Sequence, residues 1–192
     1  MKYLVGGQRT LCFVSVFFLA GYCLVNTGYA KQGMSIKSKA FENGAEIPLK
    51  YTCEGSNLTI PLQWSNVPSS TKSLVLVVDD PDAPNPERPK MVWVHWVLYD
   101  IPVTVTSLSE GPRDAALPKG VRQGMNSWKK KSWGGPCPPM GRHRYFFKLF
   151  ALDRLMGDLH TPNEKELMKA IDGHVLEKAE LVGTYMKKTK KK

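Results

Sequence analysis

Two short stretches hold most of the side chains able to do chemistry. Gly134 to Tyr145 reads Gly-Gly-Pro-Cys-Pro-Pro-Met-Gly-Arg-His-Arg-Tyr, and Asp79 to Pro84 reads Asp-Asp-Pro-Asp-Ala-Pro, with Trp93, His95 and Trp96 shortly after it. The imidazoles of His95 and His143 and the phenol of Tyr145 can each donate a hydrogen bond to an anion. A bound anion favours the protonated imidazole, which strengthens attraction below neutral pH. Asp80 can accept from an imidazole N–H and fix its tautomer. The plainer alternative is a structural His and Tyr satisfied by neighbouring backbone. A hydrolytic reading is disfavoured, because a histidine and its orienting acid need an activated nucleophile. Gly-x-Ser-x-Gly, Gly-x-x-x-x-Gly-Lys and His-Glu-x-x-His are all missing from the chain. Cys137 is the one tempting nucleophile, and its flanking prolines suit a structural role better. No catalytic residue, metal or cofactor is therefore assigned.

Both stretches join strands to rigid turns. Pro136, Pro138 and Pro139 fix φ and remove donors, so the loop is shaped before anything binds. His143 and Tyr145 share one face of the strand that follows, by its two-residue period. Trp93 and Trp96 alternate across theirs, which places only one of them at a shared pocket. Short runs rich in branched and aromatic residues mark strands over Ile36 to Phe41, Leu62 to Trp64, Leu74 to Val78, Val94 to Tyr99, Tyr145 to Leu152 and Glu180 to Met186. Leu74 to Val78 is apolar at every position, as a central strand covered on both faces requires. One helix is expected near the C-terminus, with Thr161 as cap, Pro162 in its first turn, Glu164 completing a capping box, and Leu167, Met168 and Ile171 as its buried stripe. The fold class is thus mainly β, an antiparallel β-sandwich with one covering helix.

Asp80 to Pro84 with Trp93 and His95, and Gly135 to Pro139 followed by Gly141-Arg142-His143-Arg144-Tyr145, resemble the phosphatidylethanolamine-binding protein family, which includes the Raf kinase inhibitor proteins. The bacterial branch is the nearest match, and the resemblance runs from about Ile36 to about Met186. It implies a small pocket at Asp80, Asp82, Trp93, His95, Pro139, His143 and Tyr145 that holds phosphate, acetate or a phosphorylated head group, with Trp96 in the core. It also implies a binding protein rather than an enzyme; the alternative is a regulator that docks a protein, as kinase- or protease-inhibiting relatives do. A homodimer is carried by resemblance alone. Trp128-Lys129-Lys130-Lys131-Ser132-Trp133 departs from the glycine-rich segment usual ahead of the proline loop. Its lysines can steer anions inward, or form nothing more than an exposed charged turn.

The first 30 residues read as a cleavable export signal: Lys2 and Arg9, an apolar run from Leu11 to Val25, and Gly28-Tyr29-Ala30 as the cleavage site. A periplasmic or secreted protein is expected, with residues 31–186 as one domain and 187–192 as a basic tail. The formal charge of +10 drops to +8 without the leader, which carries two cations and no acid. The tail favours solvation, with weak contact to anionic membrane surfaces as a minority reading, and no nucleic-acid motif accompanies it. Removing the leader also removes Cys12 and Cys23. In an exported chain, Cys53 and Cys137 are a candidate disulfide, and two separate thiols are the alternative.

Overall fold

Burial on both sides of one strand sets the layering. The computed structural model describes residues 32–188; the expected leader, its cleavage site and the end of the basic tail lie outside the described residues. Eight strands are present: β1 Ser35–Ser38, β2 Leu62–Ser65, β3 Ser73–Asp80, β4 Trp93–Ile101, β5 Ser107–Leu108, β6 Arg122–Gln123, β7 Arg142–Leu152 and β8 Val175–Met186. They form a five-stranded sheet in the order β6-β4-β3-β7-β8 and a three-stranded sheet in the order β1-β2-β5. Every pairing between these strands is antiparallel.

Strand β3 is central and buried along its whole length, as its unbroken apolar run leads one to expect. Leu74, Leu76 and Val78 join Ile36, Leu62 and Trp64 in the core between the sheets. Val75 and Val77 join Leu167 and Ile171 of α1, Glu164–Ile171, in a second core on the other face. The helix therefore covers the sheet, as its apolar stripe indicates.

Several strand boundaries differ from the sequence reading; β1 ends at Ser38 rather than Phe41, and β3 and β4 run on to Asp80 and Ile101. β7 starts at Arg142 and β8 at Val175, because the ladder between them runs from Arg142↔Met186 to Leu152↔Val175 through Glu177, Lys178 and Glu180. Backbone bonds extend a hairpin past the point where its apolar residues stop. The helix cap also moves two residues on. Asn163 accepts from Glu166 N, and the Glu166 carboxylate accepts from Asn163 N, so the capping box is Asn163-x-x-Glu166. Thr161 sits at φ 63, a left-handed conformation unlike the extended backbone of an N-cap, and Met125 N takes the carbonyl of Pro162.

Candidate functional site

The site is assembled where β3 ends, β4 bulges and β7 begins. Along β4 the register passes from Trp96, opposite Val78, to Val94, opposite Asp79, which leaves His95 as the extra residue of a β-bulge. Strict alternation places His95 and Trp96 on opposite faces; the bulge lets both rings reach Trp133, at 6.2 Å and 5.7 Å between centroids. Trp96 is core, and Trp93 lines the neighbouring cavity.

That cavity, about 530 Å³, is lined by Asp80, Trp93, His95, Pro139 and His143 together with residues the sequence reading did not place there, Trp128 and Trp133 among them. Asp82 and Tyr145 do not line it. Asp82 is held in a fork by Arg144, whose Nε and Nη2 donate to its two carboxylate oxygens at 2.9 and 2.7 Å, and Arg144 N adds a third bond at 2.9 Å. The Arg144 bonds hold the Asp82 carboxyl below the usual carboxylate range, against the opposing effect of burial. Asp82 thus ties the turn after β3 to the start of β7. Tyr145 packs its ring edgewise on His95 at 5.1 Å.

The two histidines differ sharply. His143 is fully buried; its Nδ1 donates to Asp80 Oδ2 at 2.7 Å and its Nε2 faces Met140 O at 2.9 Å. Both ring nitrogens are engaged within the protein. Asp80 also accepts from Asp82 N through Oδ1 at 2.8 Å. Burial raises the Asp80 pKa, opposed by the bonds from His143 and Asp82. His95 donates through Nδ1 to Gly134 O at 2.5 Å, while its buried Nε2 has no partner among the described residues. Burial pushes the His95 pKa down to about 4, against the opposing pull of the Gly134 bond. Tyr145 Oη and Trp133 Nε1 are likewise buried and unpartnered among the described residues. Burial, reinforced by Asp80, raises the Tyr145 pKa, so the phenol keeps its proton.

The proline loop is fastened from below. Cys53 and Cys137 form a disulfide with Cα atoms 5.4 Å apart, Cys53 N donates to Pro136 O at 3.1 Å, and Asn57 Oδ1 accepts from Gly135 N at 2.8 Å. Asn57 is a positioning residue that the sequence reading missed; its loop carries no signal of a partner 78 residues away. A Cβ at Gly135 meets Tyr51 O at 2.3 Å and Asn57 Oδ1 at 2.4 Å. Gly135→Ala is therefore expected to destabilise the domain by about 1–3 kcal/mol, read by denaturant unfolding. An unchanged midpoint contradicts this account of the loop.

A family model described as phosphatidylethanolamine-binding protein matches residues 37–186. The chain is 44% identical over 153 residues to a UPF0098 protein of Methanothermobacter thermautotrophicus, covering 79% of this chain and 98% of the relative. A UPF0098 protein of Chlamydia pneumoniae is 43% identical over 154 residues, covering 80% and 99%. Among solved structures, a phosphatidylethanolamine-binding protein homologue from Chlamydia trachomatis superposes with a TM-score of 0.74 at 40% identity, covering 81% of this chain and 99% of the other. E. coli YbcL, described as a member of the mammalian family, gives 0.73 at 32%, covering 82% and 100%. A match across the whole described sandwich, including both strand ends that build the cavity, means that the chain belongs to the phosphatidylethanolamine-binding protein family.

Proposed function

We propose that this protein is an exported, non-enzymatic binding protein whose cavity takes a small oxyanion, either phosphate or the phosphorylated head group of a larger molecule. The observation that carries the reading is a pair of cavity-lining side chains, His95 and Trp133, whose buried Nε2 and Nε1 atoms have no partner among the described residues. Each unmatched buried group costs about 1–3 kcal/mol, and a ligand that completes them recovers part of that. Arg113 and Lys130 line the same cavity and favour negative charge. Binding rather than hydrolysis is supported by the state of Cys137, whose sulfur is bonded to Cys53 and offers no thiolate.

Calorimetric titration near pH 6 with phosphate, phosphoethanolamine and acetate tests this. Saturable binding is expected, with Trp133→Phe weakening it roughly tenfold through loss of one buried donor. An absence of saturable binding to the wild type sinks the reading. A second reading, protein docking, draws on the exposed apolar side chains at and beside the mouth: Met91, Val92, Trp128 and Met140. Capture of an exported partner that survives Trp133→Phe and is lost in Trp128→Ala supports that surface.

A further inference from the structure

The cavity offers an acceptor where an anion site is expected to offer only donors. Gly134 O cannot donate, so His95 Nδ1 must carry the ring proton in the 2.5 Å bond between them. The carbonyl is held in place, because Gly135 N, in the same peptide unit, donates to Asn57 Oδ1 at 2.8 Å and Gly134 N donates to His95 O at 3.1 Å. A neutral imidazole has one N–H, so Nε2 presents a lone pair. That atom is buried in a residue only 2% exposed, has no partner among the described residues, and belongs to a side chain lining the cavity.

We propose that His95 Nε2 acts as a hydrogen-bond acceptor that selects head groups carrying a proton, namely hydrogen phosphate, the monoanion of a phosphomonoester or a carboxylic acid, over fully ionised tetrahedral anions such as sulfate. This deepens the oxyanion reading and rests on it. Phosphate and sulfate are nearly the same size and shape, so size alone does not separate them. A protonated phosphate can donate to Nε2 while accepting from Trp133 Nε1 and from the Arg113 and Lys130 cations that line the same cavity. Sulfate brings only lone pairs, and one of them meets the lone pair of Nε2.

The groups around His95 favour the neutral ring. Asp80 of β3 is engaged by His143, and His143 of β7 lowers the His95 pKa in the same direction as burial. Tyr145 of β7 stays protonated. Trp128 and Trp133 pack against the ring without charge, and Arg113 and Lys130, which also line the cavity, add positive charge that opposes a second proton on the imidazole.

The test is calorimetry on the wild-type protein with phosphate, sulfate and methyl phosphate at matched ionic strength, from pH 5 to pH 8, in two buffers of different ionisation heat. Phosphate is expected to bind roughly 100-fold more tightly than sulfate throughout, as sites that leave a buried polar group unpaired reject the analogue strongly. Methyl phosphate, which loses its last proton near pH ~6, is expected to weaken about tenfold per pH unit above that point. Inorganic phosphate keeps a proton over the whole range and is expected to lack so steep a fall. Sulfate binding that equals phosphate, or that takes up about one proton per site, overturns the acceptor role while the oxyanion pocket stands. Failure of both phosphate and sulfate to bind overturns the pocket reading itself.

Discussion

Replacing Cys53 and Cys137 together by serine is expected to lower the thermal unfolding midpoint by roughly 10–15 °C. The two cysteines lie 84 residues apart in the chain, so the bridge closes a long loop. On the chain-entropy account such a crosslink contributes about 4.5 kcal/mol by restricting the unfolded ensemble. In a domain of this size each kcal/mol moves the midpoint by about 2–4 °C. The bridge also joins two pieces of the cavity wall, since both cysteines line it. The bonds from Cys53 N to Pro136 O and from Gly135 N to Asn57 Oδ1 remain in the variant, so the loop loosens rather than leaves. Phosphate affinity is expected to drop less than tenfold, measured by the same calorimetry below the lowered midpoint. A midpoint within ~3 °C of the wild type contradicts the loop-closure account.

The second large effect is at Asp80. Asp80→Ala removes the acceptor for both His143 Nδ1 and Asp82 N, and the carboxylate and the imidazole it serves are buried. Breaking a buried charged or polar pair by removing one partner costs about 3–5 kcal/mol, because the survivor is left without water or a partner. Arg142→Ala, which removes an ion pair to Glu46 exposed on both sides, is the matched control. The two side chains of that pair are 44% and 46% exposed, and exposed pairs contribute about 0–1 kcal/mol. Denaturant unfolding of the two variants should therefore differ several-fold in free-energy loss; equal losses contradict the burial argument. The Asp82–Arg144 fork has a pH signature of its own. Asp82 is held below its ordinary pKa chiefly by Arg144, so its contribution is present above the unfolded carboxylate pKa and is lost as pH falls through the depressed folded value. Arg144→Ala is expected to remove that part of the acid dependence.

Much of the architecture follows from local pattern. Branched and aromatic runs bounded by prolines and glycines mark the main strands, the unbroken apolar stretch Leu74 to Val78 marks a strand covered on both faces, and the stripe Leu167, Met168 and Ile171 marks a covering helix. Two overlapping capping boxes, Thr161-x-x-Glu164 and Asn163-x-x-Glu166, make the helix start ambiguous in sequence. Only the tertiary hold on Pro162, through Met125, decides between Thr161 and Asn163. The short strands β5 and β6 have no local signature at all, since two-residue strands exist through their partners.

For the cavity, spacing in the chain named the side chains near it, but not which of their atoms are free. His95 and His143 look alike as letters. One is consumed by Asp80 and Met140, and the other keeps an unpartnered Nε2 because Gly134, 39 residues away, takes its Nδ1. The bulge at His95 and the approach of Trp128 to within 5.2 Å of its ring are equally unreadable from sequence. In the sequence Trp128 and Trp133 flank a lysine run, and nothing local marks their rings as cavity walls. Residue type, turn chemistry and hydrophobic period are local properties, so the chain alone determined the sandwich, its helix and the candidate cysteine pair. Hydrogen-bond ownership among buried groups depends on which distant backbone arrives, and that was decided only when the two sheets, the proline loop and the bulge packed together.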